Sequence, residues 1–392
     1  MPLPLLPAPA RRILDLARSD RAAARAAMSE LPLDTQVELV CRAPVARRAE
    51  LLGLAREPET LIPRMPEAEL CFTVKAIGLA DAGWILEHAT SEQLVAAVDL
   101  DAWALDAPNP TALGEWLEAA VAAGEPTLLR TAQALDPELI VLALRDRIEV
   151  WLKPSGDNDW EPPQQTRTLE GQFYWRARHE GDDLEALAKL MDALFREDYW
   201  FYFRMMQGTI WELDTETRVW AERWRTGRLE DLGFPPREDA VLALYAHLAP
   251  EESAALPADT RALEVDAWRL PVWQPELPVT ADARHAVFRA AAELGAEDRG
   301  AFFYALLSLA NAVAVADRMP LGEAESTPAA IERAAQLASA GLEHLADVHG
   351  LPATEILRRI PLLRLYRIGA NARGESPPTD PAEEVAERDV LA

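Results

Sequence analysis

The sequence predicts a mainly α-helical protein: a solenoid-like array of short helices, followed by a small antiparallel β pair and an aromatic-cored helical bundle. Three observations lead to this fold class. Apolar residues recur every three or four positions through most of the chain. Several of these segments open with proline or an acid-containing turn, which suits a first helical turn. Alternation of apolar and polar residues, the pattern of a strand, occupies two short stretches.

The N-terminal array is predicted over residues 1–146. After a first amphipathic helix, Asp34 is expected to cap a helix that Pro44 interrupts near its end. Further helices are predicted at residues 45–55, 66–79, 81–88, 91–98, 110–122, 126–134 and 137–147. Short helices separated by brief joints indicate a stacked, superhelical arrangement without an exact period.

Residues 147–180 form the predicted junction, which resembles a β-hairpin. Residues 148–152 alternate between apolar and charged or aromatic side chains, residues 154–159 break the chain, and residues 168–178 alternate again. A period of two is the signature of a strand. We therefore expect two antiparallel strands joined by a long polar loop.

The C-terminal helical domain is predicted over residues 181–374, with an aromatic segment at residues 197–248. This segment holds four of the twelve tryptophans. Large aromatic side chains bury about 150–250 Å² each, so they can organise a core. In a helix that starts after Asp214 or Thr215 we expect Val219, Trp220 and Trp224 to point inward.

A proline-rich stretch and four helices complete the prediction. Residues 267–278 look extended, with Trp268 and Trp273 as anchors on another surface. The last helices are predicted at residues 281–294, 298–317, 328–349 and 353–370. The acidic tail, residues 375–392, is expected to be disordered.

Charge and cysteine content narrow the class of protein. The formal net charge of −26 argues against a broad nucleic-acid-binding surface and favours basic partners. A local basic patch remains at Arg358, Arg359, Arg364 and Arg367. The two cysteines, thirty residues apart in apolar helical patterns, are predicted to be buried thiols. With no signal-peptide pattern and no predicted membrane span, we expect a cytoplasmic protein.

Two acidic clusters are candidate divalent-metal sites. The first combines His179, Glu180, Asp182 and Asp183, and its alternative interpretation is an N-terminal helix cap. The second contains Asp99 and Asp101, and its alternative is a solvated turn. No second ligand cluster or known metal-binding spacing accompanies either one, so no metal or cofactor is predicted.

The candidate interaction or pocket residues are aromatic and cationic side chains. They are Trp220, Trp224, Arg225, Arg228, Trp268 and Trp273. They fit either a hydrophobic core with a salt-bridged face or a ligand pocket near residues 199–228 with arginine anchors. The sequence contains no GxSxG, no P-loop and no GxGxxG after a strand, so no catalytic residue is predicted.

Five stretches carry a family resemblance: LPLDTQVELVCRAP, EAELCFTVKAIGLADAGWILEHATSEQLVAAVDLDAW, RTGRLEDLGFPPREDAVLALYAHL, LANAVAVADRMPLGEAE and AGLEHLADVHGLPATEILRRIPLLRLYRIGA. Together they resemble a bacterial domain-of-unknown-function family over residues 30–371, which implies no activity. Residues 30–105 also resemble the intracellular N domain of MgtE magnesium transporters. That second resemblance implies stacked short helices with acidic positions for Mg²⁺.

Three functional hypotheses follow. The first is a non-enzymatic cytoplasmic scaffold or adaptor that binds a protein partner through an extended helical surface. The second is an enzyme or ligand sensor with an aromatic and arginine pocket near residues 199–228. The third is a regulator that responds to a divalent cation.

Overall fold

The protein is described here by a computed structural model covering residues 8–157, 159–179, 181, 183–257, 272 and 277–378. Over these residues it contains 21 α-helices and two short antiparallel strand pairs, which confirms the mainly α-helical fold class. The chain divides into two compact units, and the boundary falls after Arg228. The sequence-based domain boundaries, including the disordered tail, stay predictions; residues 379–392 of that tail lie outside the described part.

The first unit contains fourteen helices, the last of which runs across the boundary. They are α1 (Ala8–Ser19), α2 (Arg21–Ser29), α3 (Leu33–Arg42), α4 (Val45–Leu52), α5 (Pro58–Leu61), α6 (Glu67–Ile77), α7 (Gly83–Leu86), α8 (Ser91–Asp101), α9 (Pro110–Ala122), α10 (Glu125–Ala134), α11 (Pro137–Arg147), α12 (Glu185–Glu197), α13 (Tyr199–Trp211) and α14 (Asp214–Asp231). Two 3-10 turns lie at Ile62–Arg64 and Leu79–Asp81.

Stacking of every second helix along the chain gives this unit its solenoid-like character. α4 packs against α6, α6 against α8, α8 against α10, and α10 against α12. Prolines and polar caps end one helix and start the next: Thr90 and Gln93 form a capping box at α8, and Asn109 caps α9 ahead of Pro110. Short helices therefore bury their apolar faces against sequence neighbours, as the sequence pattern predicts.

A buried ion pair fixes α4 to α6. Arg48 and Glu69 are both buried and form a salt bridge, and the Arg48 guanidinium also donates to the backbone carbonyls of Cys41 and Ala43. Its hydrogen bonds offset the cost of removing the two charges from water. Cys41 and Cys71 are buried thiols that form no disulfide, as predicted, and burial raises the pKa of the Cys41 thiol.

Four strands make two antiparallel pairs. β1 (Trp103–Ala104) pairs with β2 (Ala107–Pro108), and β3 (Ile148–Leu152) pairs with β4 (Phe173–Ala177). The second pair is the predicted one, with Val150 opposite Trp175. The two-residue β1–β2 hairpin was not predicted, because strands of two residues are too short to show a period.

An aromatic cluster joins β4 to α12 and α13. Phe173 lies against Tyr202 and Phe203 with ring centroids 6.3 and 5.5 Å apart, and Phe195 lies 5.5 Å from Tyr202. The Tyr202 hydroxyl donates to Glu170 at 3.0 Å, so the one polar atom of this buried ring is satisfied. Edge-to-face contacts of this kind are the favoured geometry for aromatic pairs.

The second unit is built on two long helices. Its helices after α14 are α15 (Arg237–Tyr245), α16 (Pro250–Ser253), α17 (Ala286–Ala292), α18 (Ala296–Ala316), α19 (Ser326–His349), α20 (Ala353–Arg359) and α21 (Leu362–Arg373). α19 and α21 cross at Gly341 and Gly369, where a Cβ on either glycine would lie 2.0 Å from a backbone carbonyl oxygen of the other helix. Only glycine permits this approach.

Candidate functional site

Helix α14 carries most of the predicted interaction residues, and it buries little of its surface. Within the first unit, Thr217 and Ala221 are its buried side chains. Arg225 and Arg228 continue the same line at spacings of four and three residues, so the four form one edge of the helix. We call Thr217, Ala221, Arg225 and Arg228 the inner edge.

Arg228 binds two carboxylates at once. Its Nε and Nη2 donate to the two oxygens of Asp99 at 2.6 and 2.9 Å, and its Nη1 and Nη2 donate to the two oxygens of Asp136 at 2.8 and 2.7 Å. Asp99 lies near the C-terminal end of α8 and is 0% exposed. Asp136 directly precedes α11. Paired bidentate contacts of this kind are the strongest ion-pair geometry that arginine forms. The guanidinium therefore ties α14 to α8 and α11.

Burial and the contact with Arg228 shift the pKa of the Asp99 carboxyl in opposite directions. Burial raises the pKa of the Asp99 carboxyl, and hydrogen bonding and charge attraction from Arg228 oppose this shift. Because both carboxylate oxygens accept hydrogen bonds from Arg228 and the side chain is fully buried, Asp99 holds the helix in place and is not accessible to a substrate.

Arg225 fixes α14 to the β1–β2 hairpin. Its Nε donates to the backbone carbonyl of Asp99 at 2.8 Å, its Nη1 donates to the carbonyl of Leu105 at 3.3 Å, and its guanidinium lies 4.7 Å above the Trp103 ring. Leu105 has a φ of 58°, a left-handed conformation that is uncommon for leucine. Burial lowers the pKa of Arg225, while nearby carboxylates oppose the shift.

Trp220 and Trp224 lie on the exposed side of α14. They are 46% and 49% exposed, and their rings stack with centroids 6.2 Å apart and an interplanar angle of 28°. Arg223 covers the Trp220 ring at 5.3 Å. Leu213, which is 61% exposed and precedes the helix, lies seven residues before Trp220 on the same side. We call Leu213, Trp220 and Trp224 the tryptophan face.

The expectation that Val219, Trp220 and Trp224 point inward is wrong. Val219 is 62% exposed, and about half of each indole is exposed. The reason is that the guanidiniums of Arg225 and Arg228, with their buried carboxylate and carbonyl partners, occupy the inner edge. A helix fixed by polar contacts along one narrow edge leaves its apolar side chains in solvent.

Asp101 and Asp183, both proposed metal ligands, have protein partners. Asp101 pairs with Lys75 and accepts a hydrogen bond from Trp116 Nε1 at 2.9 Å. Asp183 accepts the backbone N–H of Glu185 at 2.8 Å just before α12, but the N-cap residue of that helix is Leu184, which has no side-chain cap bond, so the helix-cap interpretation of the His179 cluster stays a prediction. Among the described residues no group of three or more His, Cys, Asp or Glu side chains could hold a metal ion.

Four of the predicted site residues lie outside the described part of the chain. These are Glu180, Asp182, Trp268 and Trp273. His179 is described and exposed.

The arginines of the local basic patch form hydrogen bonds and an ion pair within the second unit. Arg364 donates to the carbonyl of Glu252, Arg367 donates to those of Ala246 and His247, and Arg359 pairs with a glutamate one turn earlier on α20. Three of its four guanidiniums therefore bind backbone carbonyls or a neighbouring carboxylate.

In the second unit, α18 has the length and composition of a membrane span, but 61% of its apolar window is buried inside the fold.

Comparison with known proteins identifies the family. A family model described as "Family of unknown function (DUF6178)" matches residues 25–375, which is most of the chain. The chain belongs to this family. No curated protein and no solved structure matches this DUF6178 chain. The predicted family resemblance is thereby confirmed, and the resemblance to the MgtE N domain is not shown.

Proposed function

We propose that this chain is a non-enzymatic scaffold or adaptor of the cytoplasm that binds a protein partner through the tryptophan face of α14. The observation that supports this most directly is the stacked pair of half-exposed indoles, Trp220 and Trp224. Tryptophan, tyrosine and arginine are enriched at the energetic centres of protein interfaces, and Arg223 already lies over one indole. Buried thiols at Cys41 and Cys71 that form no disulfide fit a reducing compartment.

The proposed partner is a basic protein. The chain carries a net charge of −26, and two of the four arginines of α14 face the inner edge, where carboxylates and backbone carbonyls bind them. On the exposed side of the helix Asp214 is paired to Arg218 and Arg223 lies over the Trp220 ring, so the preference for a basic partner rests on the net charge of the whole chain. Charge of opposite sign on a partner would speed encounter and select it over acidic proteins.

Trp220→Ala with Trp224→Ala is the decisive change. We expect the double variant to lose at least about tenfold in affinity for the partner, since removal of interface tryptophans commonly costs more than 2 kcal/mol. The partner is first recovered by affinity purification with the full chain and then purified. Its binding to wild-type and variant chains is measured by calorimetry at low and high salt. Charge complementarity predicts weaker binding as salt rises.

Trp200→Ala is the matched control. Trp200 is 77% exposed and lies on α13, outside the tryptophan face, so its removal should leave binding unchanged. Equal binding by wild type and the Trp220/Trp224 double variant would contradict the proposal. So would a partner that proves to be a second copy of this chain or an acidic protein.

A further inference from the structure

A pocket in the first unit is lined by no residue of the tryptophan face or of the inner edge of α14. It has a volume of about 620 Å³ and opens between α2, the end of α4, α5 and α7. Its lining consists of Arg25, Ala26, Ser29, Leu52, Gly53, Ala55, Arg56, Pro58 and Trp84. The volume falls within the range of about 300–1,000 Å³ that is typical of small-molecule sites. We call it the arginine pocket.

The charged residues that line the arginine pocket are all basic. Arg25 and Arg56 are its charged lining residues, and no carboxylate lines it, although the chain has 65 acidic residues against 39 basic ones. Over the described part of the chain, neither guanidinium forms a salt bridge. Elsewhere in the same unit arginines such as Arg48 and Arg228 are held by carboxylates. Two guanidiniums without carboxylates, in so acidic a protein, favour an anionic ligand.

Gly53 positions the cationic side of the pocket. Arg25 Nη2 donates to the Gly53 carbonyl at 3.3 Å, which holds this guanidinium at the pocket and leaves its other N–H groups for a ligand. A Cβ on Gly53 would lie 3.7 Å from Arg21 Nη2, so a third guanidinium reaches the same residue.

Apart from Ser29, the remaining lining is apolar and includes one aromatic ring. Leu52, Ala55 and Pro58 form its aliphatic part, and Trp84, at the start of α7, is 38% exposed. An exposed indole beside cationic groups offers a surface on which a flat ring can stack. Predominantly apolar lining with a few polar groups that fix orientation is the usual composition of a ligand site.

We infer that the arginine pocket binds a small organic anion that carries a phosphate or carboxylate group on a planar ring. Arg25 and Arg56 bind the oxyanion through the forked donors of their guanidiniums, and the ring packs against Trp84. Phosphate and carboxylate present the same paired acceptor oxygens to arginine, so the two sources share one recognition chemistry.

Calorimetry on the full chain tests this with three probes: adenosine monophosphate, indole-3-propionate and inorganic phosphate. We expect at least one ring-bearing probe to bind more tightly than inorganic phosphate, and the tighter one identifies phosphate or carboxylate as the group recognised. Arg56→Gln and Arg25→Gln should each weaken that probe by about tenfold or more, because each removes charge-assisted hydrogen bonds. Arg56→Lys, which keeps the charge but loses the fork, should give an intermediate loss.

Two further variants test the role of the Trp84 ring and control for the loss of one positive charge elsewhere. Trp84→Ala should weaken the ring-bearing probe and leave inorganic phosphate unchanged. Arg373→Gln, which removes one exposed positive charge in the second unit, should change nothing. The proposal is overturned if no probe binds wild type at 5 mM, roughly the weak end of specific recognition. It is also overturned if inorganic phosphate binds as tightly as both ring-bearing probes, or if Arg56→Gln and Arg373→Gln behave alike.

Discussion

Two helices of this protein are fixed in opposite ways. In the first unit, α14 is held along its inner edge by Arg225 and Arg228, whose guanidiniums donate to Asp99, Asp136 and a hairpin carbonyl. In the second unit, α19 is held against α21 by direct backbone approach at Gly341 and Gly369. Each attachment leaves a different amount of helix surface available.

The difference shows where a binding surface can exist. A tight helix crossing needs small residues and broad apolar contact, and the buried residues of α19 recur along its whole length. Polar attachment needs only a few side chains on one edge, so the other sides of α14 remain in solvent. The tryptophan face is a consequence of this narrow attachment.

Removing the guanidinium of Arg228 is the most damaging way to break the polar attachment. Arg228→Ala leaves the fully buried Asp99 without its counter-charge, and breaking a buried pair in this way costs about 3–5 kcal/mol. We expect this loss in urea-induced unfolding of the first unit. Arg218→Ala on the same helix removes an exposed pair with Asp214 and should cost no more than about 0.5 kcal/mol. Similar losses for the two variants would show that the Asp99 contact adds nothing special.

A methyl group at the glycine crossing should break the steric attachment. Gly341→Ala places a Cβ 2.0 Å from the Leu365 carbonyl oxygen, so α19 and α21 must move apart, at a cost of about 1–3 kcal/mol. Thermal unfolding followed by circular dichroism measures the effect. Gly300→Ala is the control, because its Cβ meets nothing within 4 Å and alanine stabilises a helix by about 0.5–1 kcal/mol relative to glycine. A stabilised Gly341→Ala variant would contradict the close crossing.

Glu222 supplies a smaller, pH-dependent test of how α14 sits beside the hairpin. Burial and the Asp106 carboxylate raise the pKa of Glu222 above its ordinary value of 4.5, and Arg225 opposes the shift. Well below pH 4.5 the carboxyl is neutral in both the folded and the unfolded chain. As pH rises through the raised folded-state pKa, ionisation favours the unfolded chain, so stability contributed by this group is lost.

Glu222→Gln should therefore raise the melting temperature at pH 7 slightly and leave it unchanged at pH 3. Glu216→Gln, at an exposed position of the same helix, is the control for removing one negative charge. An increase at pH 7 that is equal in both variants would mean that general charge repulsion, and not the Asp106 contact, is responsible.

Much of the fold was predictable because its sequence signals lie within short segments of the chain. Helical periodicity and proline positions indicate the stacked helices, and the alternation at Ile148–Leu152 indicates β3. The side of α14 that faces the fold was not predictable in this way. Periodicity groups side chains on a helix face but does not say which face is buried, and apolar character pointed to Trp220 and Trp224.

The site contacts were hidden for a different reason. Arg228 and Asp99 are 129 residues apart, and Arg25, Arg56 and Trp84 are brought together from three separate segments. Neither set has a spacing that a single sequence can reveal. Asp136 carried a signal of another kind, since an acid before Pro137 is expected at the start of a helix, but this position does not identify its arginine partner.

The long span of the Arg228–Asp99 contact also bears on the order in which the first unit assembles. Most helix contacts there join near neighbours along the chain, and local contacts form early because little loop entropy is lost. Bringing Arg228 to Asp99 closes a loop of 129 residues, which costs more conformational entropy. The Arg228 contacts can offset this cost only after α8 and α11 are in place. We expect α14 to dock last during folding and to detach first during partial unfolding.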